Sequence, residues 1–231
     1  MDDKLISEVR SRLYSGVISD VLDGLGNMHH ALPPRIRPLD EALVMFGRVR
    51  TALYMPVYHV EPGGNPYELE IELVDSLRPD DVAVMACPRE ERIGPWGELL
   101  STAATARHAA GCVTDGLVRD VRLIREMRFP VFAGGIGPLD SKGRGMVMAI
   151  DVPIECGGVP MRPGDWIFGD VDGVVVIPGE LCERTVELAL QKVLHENTVR
   201  EELAAGEPLA TVFAKATSVR LSEGIDCVRR L

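Results

Sequence analysis

Two kinds of apolar spacing alternate along the chain, and they predict its elements. From residue 4 to residue 26 the spacing is helical, in two pieces. Leu5, Ile6, Val9 and Leu13 make the first; Val17, Ile18, Val21, Leu22 and Leu25 resume it after a break at Ser15-Gly16. Gly24 and Gly26 end the second piece, and Pro33-Pro34 forbid its extension. Residues 43–55 read as a strand, and helical spacing returns from Tyr67 to Leu77, closed by Pro79. The apolar run Val82-Ala83-Val84-Met85-Ala86 suits a strand covered on both faces. A tight loop with Gly94, Pro95 and Gly97 follows, then an alanine-rich helix from Glu98 to Ala110, stopped by Gly111. A strand at Cys112-Val113-Thr114, a helix from about Arg119 to Met127 and a strand at Pro130-Val131-Phe132-Ala133 complete the middle. Strand–helix–strand–helix–strand predicts a parallel sheet with right-handed crossovers.

The pattern changes after Gly135. Short apolar segments at residues 146–152, 154–161, 166–169 and 174–177 are separated by Gly157-Gly158, Pro163-Gly164-Asp165 and Asp172-Gly173, the turn chemistry of a β-rich module. Pro178-Gly179 leads into the longest helix, Glu180 to Ala205, within a helical extension spanning about 179–217. No repeat or low-complexity linker interrupts the chain. Residues 1–231 therefore read as a single α/β domain with helical extensions at both ends.

Composition narrows the function classes. The 25 basic and 35 acidic residues leave a net charge of −10, which argues against a nucleic-acid surface with its clustered basic footprint. Cys87, Cys112, Cys156, Cys182 and Cys227 are odd in number and widely spaced, without a Cys-x-x-Cys pair, and read as reduced core thiols. The start, Met1-Asp2-Asp3-Lys4, lacks the basic and apolar regions of a signal peptide, and no apolar stretch reaches membrane-spanning length. A cytoplasmic protein with no membrane or nucleic-acid partner is expected.

Chemistry is expected beyond the carboxyl ends of the parallel strands, where ligands gather in open sheets. Two strand-to-helix junctions point that way. One carries Trp96-Gly97 and the helix start Glu98-Leu99-Leu100; the other carries Asp115-Gly116 and the helix start Arg119-Asp120. Free N–H groups at a helix start attract anions, and glycine lets a small carboxylate approach the backbone. Glu98 and Asp120 are hard oxygen donors that favour magnesium or manganese, and Arg119 could neutralise charge growing on an enolate oxygen. The same two carboxylates equally suit helix starts through the macrodipole, so capping and ligation both account for the spacing.

Glu98, the twenty positions Leu99–Val118 and then Arg119-Asp120 resemble, in register, the motif of class II 4-hydroxy-4-methyl-2-oxoglutarate aldolases and of the related RraA regulators of RNase E. The resemblance covers most of the chain. It includes Ile18-Ser19-Asp20-Val21-Leu22-Asp23, Asp115-Gly116, the order from Val131-Phe132-Ala133 through Lys142-Gly143-Arg144, and above all the run from Pro163-Gly164-Asp165 to Ile177-Pro178. It implies a swivelling β/β/α fold, a homotrimer or homohexamer, and a divalent metal, Mg2+ or Mn2+. Asp120 would hold the metal directly and Glu98 through water. Arg119 would bind the pyruvyl oxygen, and Gly97 with the amides of Leu99 and Leu100 would take the substrate carboxylate. A glutamate of a neighbouring subunit's carboxy-terminal helix would complete the metal site, and Glu196 falls near that position. One departure stands out: the aldolase pattern has a second acidic residue three positions after the aspartate, where this chain has Leu123.

Two function classes follow. One is a metal-dependent lyase on 2-oxo acids, cleaving a 4-hydroxy-2-oxo diacid to pyruvate or decarboxylating oxaloacetate. The other is an RraA-like regulator that inhibits a ribonuclease through its surface. Joint retention of Glu98, Arg119 and Asp120 favours the enzyme. His29-His30 reads as loop surface and His195 as a solvated helix face. Gly134-Gly135-Ile136-Gly137 lacks dinucleotide-binding spacing and is followed by Pro138. Ser141, Lys142 and Arg144 form a basic turn, either solvated or placed to meet a second carboxylate.

Overall fold

The computed structural model describes residues 1–59, 63–87 and 93–222. Helices α1 (Asp3–Arg12) and α2 (Ser15–Gly24) open the chain, followed by β1 (Arg37–Pro38) and β2 (Met45–Pro56). Next come α3 (Glu68–Asp75), β3 (Asp81–Ala86), α4 (Glu98–Ala106), β4 (Gly111–Val118), α5 (Val121–Met127) and β5 (Val131–Ile136). The β-rich part comprises β6 (Gly145–Ile150), β7 (Ile154–Cys156), β8 (Val159–Met161), β9 (Trp166–Asp170) and β10 (Gly173–Ile177). A 3-10 turn leads into α6 (Cys182–Ala204), and α7 (Leu209–Ser222) follows it.

An α/β fold results, with a mixed sheet in the order β1-β5-β4-β3-β2-β9-β10 and β6 paired to β2. Strands β2, β3, β4 and β5 are mutually parallel, one more than the apolar runs alone predict. β1, β6, β9 and β10 join antiparallel. Every residue of β3 is buried, because each face of the central strand meets a different layer. Ala83 and Met85 face α3, α4 and α5 through Leu73, Val74, Ala104 and Ile124. Val82 and Val84 face Leu32, Ile36 and the β7–β8 hairpin. At the β9–β10 end, Phe46, Phe168 and Ile177 are covered by Ile18 and Leu22 of α2 and Val186 and Ala189 of α6.

Differences from the sequence reading cluster where tertiary contacts override spacing. β4 runs on to Val118 because Leu117 and Val118 pair with Gly135 and Ile136 of β5, and the segment from Ile93 to Gly97 docks beside the same end. Leu117 N–H donates to the Ile93 carbonyl at 2.9 Å, Arg119 N–H donates to the Trp96 carbonyl at 3.1 Å, and Trp96 bridges Val118 in parallel. His30, expected on a loop surface, is buried and bonds Ser19 Oγ at 2.9 Å and the Asn27 carbonyl at 2.5 Å. His195, expected on a solvated face, is half-buried, and among the described residues its Nε2 has no partner. Cys87, Cys112, Cys156 and Cys182 are free and buried, with burial holding each thiol above its ordinary pKa; Cys227 lies outside the described residues.

Gly94 fixes the docked segment. A Cβ there would lie 2.1 Å from the Leu139 carbonyl oxygen, a backbone atom that cannot swing aside. Gly94→Ala is therefore expected to destabilise the fold by about 2 kcal/mol, the usual cost of overpacking, measured by urea unfolding. A variant as stable as the parent would show that the segment is not clamped there.

Candidate active site

The docked segment brings the two predicted junctions together. Trp96 anchors it: the ring is 1% exposed, stacks on Phe129 with centroids 6.3 Å apart, and Nε1–H donates to Ser101 Oγ at 2.8 Å. Gly97 follows as the N-cap of α4 in extended conformation, and its carbonyl accepts from Ser101 N–H at 3.1 Å. Across from it, β4 ends at Val118 and delivers Arg119 and Asp120. A Cβ on Gly97 would sit 2.9 Å from Asp120 Oδ2 and 3.3 Å from Arg119 Nε. Glycine at this position lets both side chains come up against the start of α4.

Asp120 is not a conventional cap. It is the N-cap residue of α5 in the left-handed region, φ 57° and ψ 30°, and its side chain makes no cap hydrogen bond to that helix. Its Oδ2 instead accepts from Glu98 N–H of the other helix at 3.4 Å and lies 3.7 Å from Arg119 Nε, with 44% of the side chain exposed. The Glu98 carboxylate turns along α4 to accept from Thr102 Oγ1 at 2.7 Å. Among the described residues the first-turn amides of Leu99 and Leu100 have no hydrogen-bond partner; Leu99 is exposed, whereas Leu100 packs against the core. Leu123 lies on the first turn of α5, 39% exposed, and supplies no donor where the aldolase pattern has a carboxylate.

Arg119 is held from two sides. Its Nη1 lies 3.7 Å from Asp140 Oδ2, which also accepts from Tyr67 OH at 2.7 Å. Burial alone would raise Asp140's pKa, but the Tyr67 hydrogen bond, the Arg119 charge and the amides of Lys142 and Ser141 outweigh it and hold the pKa low. The basic turn acts on the same residue, for Arg144 Nη1 donates to the Asp140 carbonyl at 3.2 Å. Behind Asp140 sits Glu70, 7% exposed, accepting a hydrogen bond from Tyr54 OH. Burial pushes Glu70 up to about 7; Asp140 adds to the rise, while Tyr54, Arg119 and Ser141 oppose it. Tyr67 is pushed up to about 12 by burial and then by Asp140. The sequence reading missed Tyr54, Tyr67, Glu70 and Asp140. A signal existed for one: Glu70 shares the apolar face of α3 with Leu73, Val74 and Leu77, a charged residue at a core position.

Glu196 lies elsewhere. On α6 it bonds Tyr14 OH and Arg200 Nη2 (3.1 Å), with Lys192 4.0 Å away, pinning the long helix to the start of α2. A chain's own Glu196 is thus at the β9–β10 end of the fold, away from Arg119 at the β4–β5 end. Among the described residues no three His, Cys, Asp or Glu side chains are grouped to hold a metal ion. A cleft of about 410 Å3, lined by Arg35, Tyr54, Cys87, Asp115 and Gly157, contains none of Glu98, Arg119 and Asp120.

The sequence model of RraA-like proteins, described as Aldolase/RraA, matches residues 16–176. The chain belongs to the RraA-like family. Over 175 residues it is 38% identical to the "Putative 4-hydroxy-4-methyl-2-oxoglutarate aldolase" of Halalkalibacterium halodurans, covering 76% of this chain and 77% of the relative. Among solved structures it resembles Streptomyces coelicolor RraAS2, described as an unusual member of the RNase ES inhibitor RraA family. There the TM-score is 0.75 at 27% identity, over 87% of this chain and 97% of the other. An uncharacterised protein of Pseudomonas syringae pv. tomato superposes with a TM-score of 0.79 at 25% identity, over 92% of this chain and 98% of the other. The RraA-like fold expected from the sequence is the fold observed, and no described helix is long and apolar enough to cross a membrane.

Glu70 gives a pH signature to this region. Burial pushes its carboxyl up to about 7 in the fold, from an ordinary value of 4.5. Below pH 4.5 both states are protonated and burial costs nothing. As pH rises toward 7 the unfolded chain ionises first, so stability falls, by about 3 kcal/mol in all. Glu70→Gln escapes that loss. By urea unfolding the variant should gain about 2 kcal/mol on wild type between pH 5 and pH 8. Parallel pH dependences would refute the neutral state of Glu70.

Proposed function

We propose that this RraA-like protein is a divalent-metal-dependent carbon–carbon lyase of 2-oxo acids, releasing pyruvate from a 4-hydroxy-2-oxo diacid or from oxaloacetate. One observation carries the reading: Arg119 and Asp120 meet Gly97 and Glu98 at the ends of parallel strands, with the Asp120 carboxylate uncommitted to capping its own helix. The curated aldolase relatives support the same chemistry.

The donor set fits a hard cation. Asp120 and Glu98 are oxygen donors at a solvent-accessible edge, with no thiol or imidazole bonded to them among the described residues, and magnesium commonly takes one or two carboxylates and fills its remaining positions from water and substrate. Asp120 would hold the ion and Glu98 would support it; when bound, the ion supplies Lewis acidity to the 2-oxo carbonyl. The protein does the rest. The free Leu99 and Leu100 amides, at the positive end of α4, receive the substrate carboxylate. Arg119 faces the carbonyl oxygen, where negative charge grows as the carbon–carbon bond gives up its electrons, and stabilises that charge more than the substrate. A homotrimer or homohexamer, in which Glu196 of a neighbouring copy reaches this edge, completes the proposal. The soluble chain's partner is the small 2-oxo acid.

The deciding assay is pyruvate release from oxaloacetate and from a 4-hydroxy-2-oxo diacid, with magnesium or manganese and with EDTA. Turnover from neither substrate by correctly folded protein would favour the reading its RNase-inhibitor neighbour supports, a surface that binds a ribonuclease. Asp120→Asn, which keeps the side-chain shape and tolerates left-handed backbone, should abolish metal-dependent turnover while melting as wild type does. Arg119→Lys should lose about 100-fold in kcat with a smaller change in KM, because a point charge replaces a planar fork where charge develops. A change in KM alone would make Arg119 a ground-state binder.

Assembly gives a separate check. Mixing inactive Asp120→Asn with inactive Glu196→Ala should restore part of the activity if each site draws on two copies. No recovery in a mixture shown to exchange subunits would leave Glu196 with its intrachain partners Tyr14 and Arg200 and no part in the metal site.

A further inference from the structure

The proposed reaction uses one end of the Arg119 environment and leaves the other unexplained. Arg119 meets Asp120 through Nε and Asp140 through Nη1, and beyond Asp140 an enclosed acid, Glu70, completes a group that reaches into the core. Five parts of the fold contribute. β2 supplies Tyr54, whose hydroxyl donates to Glu70; the start of α3 supplies Tyr67, whose hydroxyl donates to Asp140. The end of β3 supplies Cys87, and the β4–α5 junction supplies Arg119. The turn after β5 supplies Asp140 and Ser141. Arg119 is the cation that these described residues set against the two acids.

Charge balance decides what the group can do. With Glu70 neutral, Asp140 and Arg119 form an anion–cation pair, and the guanidinium keeps its field for a ligand on the Asp120 side. With Glu70 ionised, two anions share Arg119, and the new charge sits on the enclosed member, Glu70, where it is least screened. The arginine's field is then spent inward. Asp140 has the geometry to orient the guanidinium: Tyr67 OH at 2.7 Å and the Arg144 bond to its own carbonyl fix it in place.

We propose that Asp140 is the positioning residue for Arg119, and that Glu70 is a neutral acid whose charging weakens Arg119 as a receptor for a planar, enolate-like dianion. The placement of Arg119 by Asp140 stands on the ion pair and the Tyr67 hydrogen bond, and the link between the acids is independent of the reaction, whereas the class of ligand rests on the lyase reading. Two experiments separate them. In metal-free protein labelled at glutamate Cδ, with the Glu70 signal assigned by its loss in Glu70→Gln, carbon-13 shifts report the Glu70 titration. It should fall near neutrality in wild type and move at least about one pH unit lower in Asp140→Asn, where the repelling charge is gone and Arg119 is released toward Glu70. An unmoved titration overturns the acid pair and leaves the lyase reading intact.

The second experiment measures oxalate affinity calorimetrically in magnesium-loaded protein. From about pH 6 to pH 8 wild-type affinity should drop about fivefold, Glu70→Gln should drop less than about twofold, and Asp140→Asn should bind at least about fivefold more weakly at pH 6. Magnesium affinity, titrated separately in each variant, should stay within about twofold, since neither residue is a metal ligand. An equal pH dependence in Glu70→Gln, or full oxalate affinity in Asp140→Asn, overturns the proposal. No oxalate binding to wild type overturns the ligand assignment and the lyase reading with it, while the carbon-13 titration still decides the acid pair.

Discussion

Beside the end of β4, five residues from Ile93 to Gly97 lie along a strand they do not belong to, held by the Leu117–Ile93 and Arg119–Trp96 backbone hydrogen bonds and by the buried indole of Trp96. Their docking sets the register between the two helix starts. It places Gly97 against Arg119 and Asp120, and it presses Gly94 onto the Leu139 carbonyl, one residue before Asp140. Were the segment to shift by one residue, the missing Cβ of Gly97 would no longer face the two side chains that fill its space. Hydrophobic anchoring of a single tryptophan thus fixes polar geometry several residues away, in the way that supporting layers hold a site to its working geometry.

Electrostatically the same region separates two acids. Asp140 is held low by the Tyr67 hydrogen bond, the Arg119 charge and two amides, all of which prevail over its partial burial. Glu70, more deeply enclosed and bonded to Tyr54, is pushed to about 7. Carboxyl groups whose environments drive them apart in this way assume different roles at one pH. One is a permanent anion that orients a cation. The other is a proton holder whose state can change within the physiological range.

The elements of the fold were readable because local signals agreed with tertiary ones. Val82–Ala86 is apolar throughout because both faces of β3 are covered, and Gly111, which breaks the helical spacing, opens β4. The Glu98-to-Arg119-Asp120 spacing was readable as one cluster for the same reason: parallel strands bring their carboxyl termini to one edge. Boundaries suffered where long-range contacts lengthened an element, as in β4, whose last residues pair with Gly135 and Ile136 of β5 and meet Trp96 at Val118. The acid group behind Arg119 was illegible as a group. Tyr54, Tyr67, Glu70, Arg119 and Asp140 come from four separate segments, and only Tyr67 and Glu70, at the start of α3, are near one another in sequence. Only Glu70 betrayed itself, as a carboxylate on an apolar helix face. His30 misled in the opposite direction, since its burial is compensated by Ser19 and Asn27, partners that spacing does not reveal.

The left-handed backbone at Asp120 has a further bearing on how such a site can be lost. Aspartate, asparagine and glycine enter that conformation with least strain, whereas a β-branched residue there would be a pronounced outlier. Selection for the fold alone therefore already narrows the residues this position accepts, before any demand for a carboxylate. A lineage that gave up the chemistry would drift most easily to asparagine or glycine, retaining the turn while surrendering the charge. Among chains sharing this architecture, the residue at this turn works as a natural record: aspartate where the anion is still under selection, its uncharged neighbours in conformational space where only the bend has been kept.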